Sequence, residues 1–141
     1  MSTIDALQSA LAGEHAAVYG YEVVTAQADG TLRARLQRAL DEHRAARDSL
    51  RARIVAQGAT PVAAEAGYVV PGRDDRDPAS AESAAALIEG RLGVVYATAI
   101  EEPDTTVRRI GLSGLRECTI RAAGWTEVVQ DLPGIQQPST G

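Results

Sequence analysis

The sequence predicts an all-α fold, four helices wired as two antiparallel hairpins joined by one long crossover. Three observations carry that expectation. Apolar residues recur at helical spacing in four separate segments. The breaks between those segments run short, long, short. The 141 residues and their 45% apolar content suit one core within a single domain spanning the whole chain.

The first segment, about residues 4–28, places Ile4, Leu7, Leu11, Val18 and Tyr21 on one stripe. Ser2 or Thr3 can cap it, and Asp5 favours its first turn. Asp29-Gly30 reads as a tight turn whose Asp can cap the second helix, about residues 31–57. That helix shows Leu32, Leu36, Leu40, Leu50 and Ile54, with Gly58 where a terminating glycine belongs. From 58 to 77 the periodicity disappears among Pro61, Gly67, Pro71 and Gly72. A structureless connection of about 20 residues is unusual in a compact domain. Ferritin-like wiring requires one, to return the chain along the bundle. Tyr68, Val69 and Val70 are the expected apolar clip holding it down.

Asp77-Pro78 opens a third helix, about residues 78–101, with Ala85, Leu87, Ile88, Leu92, Val95, Tyr96 and Ala99 as its apolar set. Pro103 opens the fourth, to about residue 126, with Val107, Ile110, Leu115, Cys118, Ala122 and Trp125 on one side. Gly111, Ser113 and Gly114 weaken that helix and imply a close helix approach. Residues 132–141 read as a loosely docked tail.

Composition narrows the partners. Phe and Lys are both absent, so apart from two His every basic side chain is Arg, which suggests a high-GC coding bias. The net charge of −5 argues against nucleic acid. The arginines from Arg33 to Arg53 alternate with Asp41, Glu42 and Asp48, as on a solvated face laced with ion pairs. The lone Cys118 excludes an internal disulfide framework and reads as a small core residue. No leader-like start and no apolar run of roughly 20 residues is present, so no membrane partner is expected and the cytoplasm is the expected address.

Polar residues break the stripes at mid-bundle. Glu14 stands where the first helix calls for an apolar side chain, and His43 does so in the second. Counted from the Asp29-Gly30 turn, the two lie within about one residue rise, roughly 1.5 Å, of the same level. Glu89 and Glu117, symmetric about Pro103, repeat the pattern on the flanks of the other hairpin. Buried carboxylates need partners. One solution is a carboxylate-bridged pair of iron or manganese ions held by Glu14, His43, Glu89 and Glu117. The full ligand set of such a centre is one Glu from each of two helices and Glu-x-x-His from the other two. Leu40 and Ile120 occupy the two remaining positions and cannot ligate. A second solution is an ion-pair core in which Arg47 and Arg121, each one turn along, replace the metal charge. The third leaves some of these groups in solvent, which suits Glu89 and Glu117 better than Glu14. The ion-pair core is favoured because it needs no missing ligand, and no cofactor is then required.

His15 lies about 100° round the helix from Glu14, on a flank. Tyr19, Tyr21 and Tyr96 read as amphipathic bundle aromatics. No phosphate loop, Ser/His/Asp set or zinc spacing occurs.

The run Glu14-His15-Ala16-Ala17-Val18-Tyr19-Gly20-Tyr21, the segment His43 to Asp48, the turn Gly58-Ala59-Thr60-Pro61, and Arg121 with Trp125 together resemble an uncharacterised ferritin-like domain family of high-GC bacteria. The resemblance implies the four-helix fold and assigns no catalytic residue. The expected molecule is a binding or assembly module, a homodimer, with a Glu/His/Arg core in place of a di-metal centre. The alternative is a di-metal oxidoreductase, and a third class is a small-ligand pocket under the Tyr68 crossover.

Overall fold

The structure is a computed structural model that describes residues 2–74, 77 and 80–126. Four α-helices follow in order: α1 (Thr3–Gln27), α2 (Gly30–Ala56), α3 (Ser80–Ala99) and α4 (Thr105–Thr126). No strand occurs among the described residues. The α3–α4 and α1–α2 hairpins pack closely, α1 joins them by lying against α3, and α2 makes few close approaches to either α3 or α4.

Local chemistry sets the helix ends. Ser2 caps α1 by accepting from the Asp5 amide, and the Asp5 carboxylate accepts from the Ser2 amide in return. Asp29 sits at the N-cap of α2 but its side chain makes no capping bond; the turn depends on Gly30 at φ +55°. α2 ends in a Schellman motif, with Ala59 N–H on Ile54 C=O and Gly58 N–H on Val55 C=O at φ +78°. The start of α4 departs from expectation. Pro103 lies outside the helix, and Asp104 caps it by accepting from the Val107 amide at 2.9 Å. The helix therefore begins later than expected, while Val107, Cys118 and Trp125 keep the buried face that the sequence predicts. The residue Pro78 and the tail from 132 lie outside the described residues.

The crossover is held mainly by polar contacts rather than by the expected apolar clip. Gln8 donates to Thr60 C=O and accepts from the Val62 amide, each at 2.7 Å. His15 donates from Nε2 to Val62 C=O at 3.0 Å, which gives that flank residue a structural task. Tyr68 packs on Tyr19 with ring centroids 5.5 Å apart, and Val70 leans on the core. Val69 is 88% exposed and clips nothing. Leu87, expected in the core, is likewise exposed.

Gly111 and Gly114 allow the closest approach in the bundle. A Cβ at 111 would lie 2.7 Å from Tyr96 O, and one at 114 would lie 2.4 Å from the Tyr96 ring. Gly90, mid-helix on α3, faces open space. Gly111→Ala and Gly114→Ala should each destabilise the fold by about 1–3 kcal/mol through overpacking. Gly90→Ala should stabilise it by about 1 kcal/mol. Urea unfolding of the three variants checks both signs.

Candidate functional site

The helix register brings Glu14 on α1, His43 on α2 and Glu89 on α3 to one level, each at most 1% exposed. His43 Nδ1 lies 2.7 Å from Glu14 Oε2 and His43 Nε2 lies 2.7 Å from Glu89 Oε1. An ionised carboxylate only accepts, so with both carboxylates ionised each ring nitrogen donates and His43 is an imidazolium. Burial presses its pKa down, but the hydrogen bonds and charges of Glu14 and Glu89 outweigh burial and raise it from 6.5 to about 9. Burial pushes Glu89 up; His43, Arg121 and Tyr21 together hold it below the usual carboxylate range.

Two tyrosines complete the shell by crossing over. Tyr21 on α1 donates to Glu89 Oε1 at 2.6 Å, and Tyr96 on α3 donates to Glu14 Oε1 at 2.5 Å. Glu14 and Tyr21 are separated by about two helical turns, and so are Glu89 and Tyr96. Because α1 and α3 run antiparallel, each Tyr reaches the other helix's Glu. Burial first, and the adjacent carboxylates second, hold both phenols protonated far above their ordinary range. Trp125 on α4 donates from Nε1 to the Tyr21 hydroxyl at 2.9 Å and lies under the Arg35 guanidinium.

Arg121 closes the network. Its Nε donates to Glu89 Oε1 at 2.9 Å, and its Nη1 reaches Glu42 at 2.8 Å and Glu117 at 3.3 Å. The buried charges therefore balance, with Glu14 and Glu89 against His43 and Arg121. Cys118, beside this carboxylate on α4, is held protonated by burial first and then by the Glu89 charge.

Several sequence expectations are corrected here. Arg47 does not enter the core; it pairs with Asp48 near the surface at 2.9 Å. Glu89, expected on a flank, is the most heavily bonded group of the centre. Glu117 is not its counterpart: its side chain is 59% exposed and, among the described residues, its ion pair is with Arg121. Ile120 is 60% exposed, so position 120 faces away from the centre and a ligand there would reach nothing inside. Ile120 lies off the face of Val107, Cys118 and Trp125 that α4 buries, and Cys118 and Arg121 are the groups that helix turns toward Glu89. Leu40 does lie in the core beside His43.

Held this way, the donors do not fit a di-metal centre. Both His43 nitrogens and both Glu14 oxygens are engaged, and of these donors Glu89 Oε2 alone is buried without a hydrogen-bond partner among the described residues. Among the described residues, no group of three or more His, Cys, Asp or Glu is placed to hold an ion.

The tyrosine donors, Trp125 as the partner of Tyr21, and Glu42 as a second anchor for Arg121 are absent from the sequence expectations. The duplicated Glu-x6-Tyr spacing, once on α1 and once on α3, is a signal that could have found the first.

Fold and wiring together define a ferritin-like four-helix bundle. The chain belongs to the family described as a domain of unknown function (DUF4439), whose model matches residues 6–137. It is similar to a conserved hypothetical protein from Mycobacterium tuberculosis, at 30% identity over 92% of this chain and 99% of that one, with a TM-score of 0.81. It also resembles in fold a dodecameric thioferritin, a bacterioferritin-related protein from Bacteroides fragilis, at 22% identity, a TM-score of 0.58, and 91% and 84% coverage of the two chains. A search of curated proteins finds no match. No helix among the described residues is long and apolar enough to cross a membrane.

The charge balance has a pH signature. The raised His43 pKa contributes stability fully present below pH 6.5 and lost as pH rises through about 9. The depressed Glu89 pKa contributes stability present above 4.5 and lost as pH falls. Melting temperature should therefore plateau between these limits and decline on the alkaline side, with the His43 contribution on the order of 3 kcal/mol. His43→Gln should flatten the alkaline decline in calorimetry. Arg121→Ala, which leaves a net negative charge in the buried centre, should cost about 3–5 kcal/mol. Arg47→Ala should stay within about 0.5 kcal/mol of wild type by the same measurement.

Proposed function

We propose that this chain is a metal-independent binding module in which a charge-balanced Glu/His/Arg core takes the place of a di-metal centre. The observation that carries the reading is the bridging His43, which gives both ring nitrogens to carboxylates at 2.7 Å. Two cations, His43 and Arg121, neutralise Glu14 and Glu89 without a bound ion. Such a core fixes the register of α1, α2 and α3 at one level, so the helix surfaces around it form a pre-organised frame. The rival, an iron or manganese oxidoreductase using Glu14, His43, Glu89 and Glu117, would require His43 to release a nitrogen and Glu117 to turn inward past Arg121.

The same reading includes a homodimer working in the cytoplasm. Val94 on α3 with Leu112 and Ile120 on α4 are exposed apolar side chains that support self-association. Sedimentation velocity should give twice the chain mass, and Leu112→Glu with Ile120→Glu should give the monomer.

Elemental analysis of protein purified from iron- and manganese-supplemented cells tests the central claim of the reading. The expected result is far less than one metal ion per chain, with no change in melting temperature on adding a chelator. About two ions per chain, the di-metal stoichiometry, lost in Glu14→Ala, would overturn it.

A further inference from the structure

A cavity of about 450 Å³ opens along the seam where α2 and α4 stand apart. Its lining includes Glu14 and Tyr96, one end of the buried network. Arg53 from α2, with Arg109 and Arg121 from α4, also lines it. Their roles differ. Arg121 spends Nε and Nη1 on Glu89, Glu42 and Glu117, while its Nη2 makes no bond among the described residues. Arg53 and Arg109 make no ion pair among the described residues.

The carboxylates of the cleft are in the opposite condition. Glu42 and Glu117 are held by Arg121, and Glu14 by Tyr96 and His43. Asp104, at the adjoining end of the seam, is engaged as the α4 cap. Free donors thus outnumber free acceptors, although the formal charges of the lining balance. Leu50 and Ile110 add apolar surface, and Ser49 and Ser113 add hydroxyls. The volume falls in the range of small-molecule sites, about 300–1,000 Å³.

We propose that this cleft binds a small organic anion, a carboxylate with a short aliphatic body. Its charge is met by Arg53 and Arg109, and its body lies on Leu50 and Ile110. A guanidinium pair suits a carboxylate because each offers a planar fork of donors to two oxygens. The proposal rests on the binding-module reading and names the ligand class for it.

Amide ¹H–¹⁵N shifts of the full chain, titrated with butyrate, n-butylamine and inorganic phosphate to millimolar concentration, test it. Butyrate should give saturable shifts at Ser49, Leu50, Ile110 and Ser113, and n-butylamine should give none. Phosphate should bind more weakly than butyrate, because it gains nothing from the apolar wall. The exposed Arg53 and Arg109 can be replaced without touching the core. Arg53→Gln with Arg109→Gln should weaken butyrate about tenfold or more, the equivalent of about 1.4 kcal/mol. Arg44→Gln, whose partners Glu22 and Asp41 lie outside the cleft, should leave affinity unchanged. Absence of saturable butyrate shifts, an equal response to n-butylamine, phosphate binding as tight as butyrate, or an unaffected double variant would each overturn the proposal. Metal content measured on the same sample separates the two claims. Butyrate binding to protein carrying two metal ions would refute the metal-independent core and leave the anion site standing.

Discussion

The bundle depends on a single imidazolium held between two buried carboxylates. Glu14 and Glu89 come from helices that belong to different hairpins, and His43 touches both at 2.7 Å. An unpaired carboxylate at this depth would cost several kcal/mol. Each carboxylate is therefore a constraint on register: sliding any of α1, α2 or α3 by one residue strands a charge. Hydrophobic stripes alone tolerate such slips more readily, since Leu and Ala repeat along every helix. The ionic bridge adds specificity where apolar packing is least particular.

Around that bridge the two hairpins behave as related halves. Glu14 with Tyr21 on α1 and Glu89 with Tyr96 on α3 exchange hydrogen bonds across the antiparallel pair. The symmetry stops at the outer helices. α2 supplies His43, and α4 supplies Arg121 with the small Cys118 beside Glu89. A guanidinium is longer than an imidazole and reaches the centre from the seam rather than from within it, which is why Arg121 also contacts the exposed Glu42 and Glu117. Gly111 and Gly114 bring α4 against Tyr96 on α3. α4 is drawn towards α3 and away from α2, and the cleft follows from that packing.

Much of the fold was legible because its signals are local or periodic. Leu7, Leu11, Leu36 and Ile54 fall on stripes, Gly58 ends α2 through its positive φ, and the long crossover follows from the wiring. The Glu14–His43 level could be counted because the Asp29-Gly30 turn is tight and fixes the register. The second hairpin defeated the same count. Its turn runs from Ile100 to Asp104, and symmetry about Pro103 paired Glu89 with the exposed Glu117, whereas Arg121, one turn further along, is the side chain that reaches inward. Arg47 was misplaced for a different reason: an i,i+4 neighbour of His43 is close along the helix, yet a nearer, solvated Asp48 captures it. The repeated Glu-x6-Tyr spacing marks the two tyrosines, but which Glu each one meets depends on the offset between α1 and α3, which the repeat does not encode.

The charge-balanced centre depends on the protonation of His43. ¹⁵N shifts of its imidazole, followed by NMR from pH 6 to 10, measure that directly. Both nitrogens should show protonated shifts at neutral pH, with a titration midpoint near 9. A neutral ring at pH 7, titrating at or below its ordinary 6.5, would leave one carboxylate without its donor and contradict the bridge on which the rest is built.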